Sequence, residues 1–567
     1  MSRFAALLVC LLAALCLPSQ AGAAVAGHVR DATDNAARTP SGTGARNGVV
    51  VLKSGQTSQL RQLKAENPRV KVLLYKELAF TSSSWSDNTA WSAAGVSYTD
   101  ALANGWILKD TSGHEVTSGG WGYLTGVDVG SAGYQQRWTR NVVSELRSDG
   151  WDGVFMDDVN PTLSYHTDPS QVARYPNDAA YQRAMSSALA YIAPRLHGAG
   201  KLALGNVGGW PDYRTVTSGW LSRLDGAMWE HFAKADPGSS ASGYATGATW
   251  ERNLRLVKDS ERTGKLFLGI TRAPDGDRAA ARYGWATMLL GAAGHSYFAA
   301  CRDWTRENWF DEYDYDIGDP VGAESADAGG VHRRLFTNGL VLVNPTDASR
   351  SVQFGGSYSG SGLSNARSGM IPAHSGLVLH GRSREPRLTR GRKPISLLAG
   401  TGAGSRVTLT WAHGRLRGKR RVRRYMIYRD GRLVAVTRRR RFTDRAVVAG
   451  SRARYRVAGA DRRGRIRAVS RPARVRVVGA QVAASGHPLV RVALAAERRG
   501  LWRRAFVQRR IRRGGHAKWV RASRVKRPRA GVSFRVRGGR RATLRIVVRS
   551  SRRLHRALYS ARFRPAG

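Results

Sequence analysis

At 567 residues the chain is too long for a single hydrophobic core, and ordinary domain sizes divide it into roughly three to five units. Lys and Arg number 92 against 40 Asp and Glu, a formal net charge of +52, and 56 of those cations but only 5 of the acids stand from Arg384 onward. The part before Arg384 is therefore close to neutral, and the intensely basic remainder is expected to meet anions.

The chain opens on Met-Ser-Arg, an apolar run over 4–17 and the small residues Ala21-Gly22-Ala23. This pattern predicts a signal peptide over 1–23 and a secreted, extracellular protein, with surface association as a further expectation. The run is too short to cross a bilayer, and no later window is apolar enough to do so. Cys10 and Cys16 leave with the signal, so Cys301 stands alone and no intrachain disulfide is expected. Residues 24–46 read as a linker.

From 47 to 325, short β-type runs alternate with longer amphipathic stretches, the pattern of a parallel sheet with crossover helices. The runs are 49–52, 70–75, 124–129, 154–157, 202–206, 226–230, 266–270 and 296–299. Eight of them predict an α/β fold closed into a (β/α)8 (TIM) barrel. The connection over 78–123 is long and holds Trp85, Trp91, Trp106 and Trp121, so it is expected to build a cleft wall.

Over 326–382 the pattern turns to short alternating strands, a small appended antiparallel β domain. Arg-rich, Pro-containing 383–395 reads as a linker. Residues 396–479 follow as a run of strands with a hairpin signal at Arg429-Asp430-Gly431. Trp411, the string Tyr425-Met426-Ile427-Tyr428, Phe442-Thr443-Asp444 and Tyr455-Arg456-Val457 resemble fibronectin type III domains. The all-β sandwich class is thus expected here and in the basic, β-rich stretch 480–567.

In a barrel of this kind the active site lies at the carboxyl ends of the strands. One run passes straight into two acids, Gly150-Trp151-Asp152-Gly153-Val154-Phe155-Met156-Asp157-Asp158-Val159-Asn160. Two strands later Gly226-Ala227-Met228-Trp229-Glu230 ends in a single acid. Carboxylates pressed together at a strand end cost free energy unless something pairs with them. Glycoside hydrolysis needs such a pair, one carboxylic acid to protonate the leaving oxygen and one carboxylate to act as nucleophile or activate water. Asp157 and Glu230 are therefore the candidate catalytic residues. Candidate substrate-binding residues at other strand ends are Lys76, Glu77, Asp128, Asn206 and Arg272, together with Asp158, Trp229 and Trp304. Asp158, one residue beyond Asp157, is expected to face away from the barrel interior. Nucleotide loops, His-Glu-x-x-His and paired-Cys motifs are missing from the sequence, so no cofactor and no metal are expected.

These two acid-bearing strings, with Asp316-Ile317-Gly318-Asp319-Pro320 and Asn344-Pro345-Thr346, resemble a family of barrel-fold hypothetical glycosyl hydrolases distantly similar to the endo-α-1,4-polygalactosaminidases. The resemblance spans about residues 47–380. It implies that Asp157 is the strand-four carboxylate and Glu230 the general acid/base, acting on a carbohydrate polymer. Two other readings stay open from the sequence: a catalytically silent carbohydrate-binding or adhesion module, and an anionic-polymer-binding protein whose basic part carries the function.

Overall fold

A computed structural model describes residues 25–33, 39–303, 308–383, 385–389, 391–402, 406–413, 416, 421–448, 451–461, 465–477 and, beyond these, six strands between 489 and 559. The expected signal peptide lies outside the described residues. Among the described residues no helix is long and apolar enough to cross a membrane.

Eight parallel strands close into a barrel: β1 (Gly27–Asp31), β2 (Val49–Leu52), β3 (Lys71–Glu77), β4 (Gly153–Asp157), β5 (Leu202–Asn206), β6 (Gly226–Trp229), β7 (Leu266–Arg272) and β8 (Ser296–Cys301). The longer helices between β2 and β8 are α1 (Thr57–Glu66), α2 (Ala132–Ser148), α3 (Asp178–Gly198), α4 (Arg214–Arg223), α5 (Gly247–Thr263) and α6 (Arg278–Gly291). Parallel neighbours require such crossovers, and both faces of each strand are then buried. Val49–Leu52 is accordingly buried at every position. Inward-facing Val29, Val51, Leu73, Phe155, Leu204, Met228 and Ile270 form one cluster that fills the barrel. The intervening residues, such as Val50, Leu74, Val154 and Ala203, pack outward into the helix layer.

Two expectations about the barrel are corrected. Its first strand lies inside the stretch read as a linker: β1 pairs with β2 (Val29↔Val49) and closes the barrel on β8 (Gly27↔Tyr297). Only Val29 gives this strand an apolar look, because its outward residues are polar. His28 is nevertheless buried, stacked on Trp285 at 4.7 Å. Conversely, residues 124–129 are not a barrel strand. Only Thr125–Gly126 is extended, and it pairs with Phe80–Thr81 in a two-stranded ribbon. Leu124, Val127 and Val129 are buried within the β3–α2 excursion, which reproduces the apolar alternation of a strand without a place in the sheet.

After the barrel comes the antiparallel domain, a six-stranded sheet from Ser325–Ala326 to Ser375–Ser383. It sits on α6, where Gly376 allows close approach: a Cβ there would lie 2.7 Å from that of Ala286. Arg334 donates to the carbonyls of Leu289 and Ala292 at 2.8 and 2.6 Å, satisfying the carboxyl end of α6. A further, mainly antiparallel sheet begins at Lys393, three residues inside the expected linker, because Lys393 already pairs with Ala468. Its core gathers Leu397, Leu409, Trp411, Ile427 and Tyr455. The predicted hairpin is present, with Arg429 opposite Arg432 and the two loop residues Asp430 and Gly431 at φ 51° and 88°. A four-stranded antiparallel sheet contains Ala505–Arg513, His516–Arg524, Leu544–Val548 and Leu558–Tyr559.

Candidate active site

Side chains alternate along a strand, so the residue two positions beyond each inward apolar residue also faces the barrel interior, at its carboxyl end. Counting from the filled layer gives Asp31, Lys53, Glu77, Asp157, Asn206, Glu230 and Arg272 at the mouth. Parity thus brings Glu77, Asn206 and Arg272 to the mouth with Asp157 and Glu230 and turns Lys76 outward.

Asp157 accepts three hydrogen bonds. Its Oδ2 accepts from the Tyr75 hydroxyl at 2.5 Å. Its Oδ1 accepts from Asn206 Nδ2 at 2.9 Å and from the Asp158 backbone N–H at 2.9 Å. Asn206 Nδ2 also approaches Glu230 Oε1 at 3.5 Å, so one amide touches both carboxylates. The nearer oxygens of Asp157 and Glu230 therefore lie no farther apart than these two distances laid end to end. Glu77 completes the group: the Tyr75 hydroxyl lies 2.9 Å from Glu77 Oε1, while Glu77 Oε2 is buried with no hydrogen-bond partner among the described residues.

The electrostatics separate these acids. Burial, then Asp157, raises Glu230 to about 7 against the opposing pull of Arg272. Burial, then Asp158, raises Asp157 to about 6, with Tyr75, Asn206 and the Asp158 N–H holding it down. Glu77 is pushed well above the usual carboxylate range by burial and by Asp158 and Asp157. Donors to the charged form oppose desolvation, so the carboxylate with three donors is the more acidic and the one with a single long contact the less.

Asp158 adopts φ 54°, the left-handed region that Asp tolerates better than most residues. Its Oδ1 accepts from Asn160 at 2.8 Å and lies 3.0 Å from His166 Nε2, whose Nδ1 meets Ser118 Oγ at 2.9 Å. Asp158 thus organises the loop while its backbone N–H serves Asp157. His166 also lies 5.7 Å from the exposed ring of Trp121. With exposed Trp91, Tyr123 and Tyr165, Trp121 forms a set of aromatic side chains on the loops that follow β3 and β4.

Three candidates are placed elsewhere. Lys76 faces outward and is wholly buried, paired with Glu145 of α2 at 2.8 Å and donating to Ser54 Oγ at 2.7 Å, so it holds α2 to the barrel. Asp128 belongs to the β3–α2 excursion. Its carboxylate takes the Tyr175 hydroxyl, the Gly130 N–H at 3.0 Å and Arg174 at 3.3 Å. Trp229 packs outward against the helix-layer core, because parity turns Met228 and Glu230 inward. Trp304 lies outside the described residues. Asp31, Tyr75, Asn160 and His166 went unread. Asp31 follows from β1 once that strand is recognised, and Tyr75 from counting back two from Glu77. Nothing local marks Asn160 or His166.

Residues 64–340 match a family model described as hypothetical glycosyl hydrolase family 15. The matched stretch, which runs from α1 into the appended β domain, is thus similar to glycosyl hydrolases. The chain is also similar to the following solved structures. An Anoxybacillus α-amylase is 9% identical with a TM-score of 0.39, over 64% of this chain and 99% of that one. A Geobacillus thermoleovorans α-amylase complexed with acarbose is 12% identical, TM-score 0.36, over 62% and 91%. A Flavobacterium johnsoniae dextranase complexed with glucose is 10% identical, TM-score 0.38, over 76% and 60%. No curated protein sequence matches the chain.

Proposed function

We propose that this glycoside hydrolase cleaves a poly- or oligosaccharide with net retention of configuration, Asp157 acting as nucleophile and Glu230 as acid and then base. The observation that carries the reading is the Asn206 amide shared between the two carboxylates. Carboxyl groups about 5–5.5 Å apart suit a double displacement, whereas about 6.5–9.5 Å leaves room for the water of an inverting enzyme. A pair whose nearer oxygens one nitrogen can bridge supports the closer, retaining arrangement. In the first step Glu230 gives its proton to the leaving glycosidic oxygen while an Asp157 oxygen bonds to the anomeric carbon. In the second, Glu230 takes a proton from water, whose oxygen bonds to that carbon and releases Asp157. Glu230, raised to about 7, keeps the proton needed first.

Glu77 and Tyr75 keep the nucleophile ionised. A hydroxyl has one hydrogen, so a neutral Glu77 donates to the Tyr75 oxygen and Tyr75 donates to Asp157. Arg272 lies near enough to Glu230 to lower its pKa, and it offers a cation to the substrate. The exposed rings of Trp121, Tyr123 and Tyr165 offer flat apolar surface to sugar faces beyond the cleaved bond.

The test is the first anomer released, followed by proton NMR on amino-sugar and galactan polymers. Retention is expected, together with labelling of Asp157 by a mechanism-based glycosyl fluoride. Net inversion would remove Asp157 from the nucleophile's role.

The same reading takes residues 1–23 as an export signal and the basic modules as an anchor to an anionic surface or matrix. Support comes from the apolar N-terminal run and from the excess of cations beyond Arg384. A mature N-terminus near Ala24 on protein recovered from medium is the expected result.

A further inference from the structure

A cleft of ≈ 1400 Å³ separates the appended β domain from the module that begins at Lys393. Arg333 and the backbone around Glu324 form one wall, and Arg421, Arg423 and Arg424 with Arg438, Arg439 and Arg440 form the other. None of these seven arginines makes an ion pair with a carboxylate among the described residues. The innermost two are held by neutral oxygens. Arg333 donates to the carbonyls of Gln353 and Phe354 at 3.2 and 3.0 Å, and Arg424 to Ser325 Oγ at 3.1 Å.

The two acids that line the cleft are engaged elsewhere. Glu324 takes Lys258 at 2.8 Å and His332 at 2.5 Å, and Asp461 takes Arg467 at 2.7 Å and the Arg465 N–H at 3.0 Å. Burial, then Arg424, pushes Arg333 down to about 10, and burial is likewise the first cause of the lowering of Arg424. Asp461 and Asp327 act on these half-buried cations only through space, so the neighbouring arginines favour an anion that enters the cleft.

We infer that this cleft is the binding site for an acidic polysaccharide strand, its repeated anionic groups lying along the facing arginines. The inference rests on the anchoring reading above and gives the anchor a location. Single-stranded nucleic acid suits the cleft less, since bases need exposed rings to stack on. Of the two rings in the lining, Tyr425 is buried against Trp411 at 5.3 Å, with its hydroxyl bonded to His413 at 2.8 Å and Arg440 at 3.0 Å.

The experiment measures binding of the full chain to polygalacturonate and to dextran sulfate across a salt series. One triple variant removes exposed cleft charge (Arg421→Gln, Arg423→Gln, Arg438→Gln). A charge-matched control removes exposed charge outside the cleft (Arg471→Gln, Arg474→Gln, Arg476→Gln). The cleft variant is expected to bind at least about tenfold more weakly, with the slope of log K against log salt reduced by about 3, while the control changes by less than about twofold. Glycosidase activity and circular dichroism unchanged in both variants would show that folding is intact. Equal losses in the two variants would overturn the cleft and leave bulk charge as the anchor. Tighter binding to single-stranded DNA than to either polysaccharide at equal salt would overturn the ligand. No binding by the unaltered chain would overturn the anchoring reading itself.

Discussion

The mouth of the barrel and its flank both bury charge, and they do so in opposite ways. On the flank, Lys76 is enclosed with Glu145 and two further oxygen classes around its ammonium, so the charge is answered by protein. At the mouth, Glu77, Asp157 and Glu230 converge, with Arg272 the cation that acts on Glu230. Two neighbouring residues of one strand, Lys76 and Glu77, are therefore assigned by strand parity to the helix layer and to the proposed site respectively. A compensated buried pair stabilises a fold only weakly, but breaking it is costly; an uncompensated cluster costs stability in the folded enzyme and is kept for what it does to substrate.

This contrast predicts opposite signs for substitutions. Asp157→Asn and Glu230→Gln are each expected to lower kcat by about 10²–10⁴-fold on a polymeric substrate. Both should also raise the unfolding free energy near neutral pH, by on the order of 1–2 kcal/mol after discounting for partial exposure. Both folded-state pKa values are raised, so these groups cost stability as pH climbs from about 4 through about 6–7, and denaturant titrations at several pH values should show that slope flatten in the double variant. Variants that lose activity and stability together would break the comparison.

Lys76→Met leaves Glu145 buried and unpaired, and a loss of about 3–5 kcal/mol is expected in denaturant unfolding, with kcat of the folded fraction nearly unchanged. A selective loss of kcat with unaltered stability would return Lys76 to the site.

A narrower effect concerns pH. The proposed mechanism needs Asp157 ionised and Glu230 protonated, so kcat/KM should rise through about 6 and fall through about 7, a bell with closely spaced limbs. Because Arg272 lowers Glu230, Arg272→Leu should carry the falling limb to higher pH. The smallest shift is expected for Tyr75→Phe, which removes a donor from Asp157 and should move the rising limb upward with about a tenfold loss in kcat. A limb that moves downward would mean that Tyr75 donates to Glu77 alone.

Much of the barrel was legible because strands buried on both faces read as apolar runs, and β2, β4, β5, β6 and β7 do so. Asp157 and Glu230 were legible because each ends such a run abruptly. A strand end alone does not say which face Lys76 occupies; alternation from Leu73 through Tyr75 turns it outward. β1 escaped because its outward residues are polar and buried by aromatic packing instead of aliphatic burial. Asn160 and His166 act through Asp158 from a loop, where no period constrains the pattern.

The closure of β1 on β8 has a consequence for how the chain acquires its structure. The pairing Gly27↔Tyr297 joins the first and last strands of the barrel across nearly the whole length of the domain. Until residue 301 has left the ribosome, β1 and β7 each present an open edge of unpaired backbone groups. Parallel pairing at such separation is slow, because loop-closure entropy is lost before any contact compensates for it. During that interval the unfinished sheet is open to pairing with other chains, and the lifetime of this state, more than the stability of the finished enzyme, sets how much of it reaches the native form.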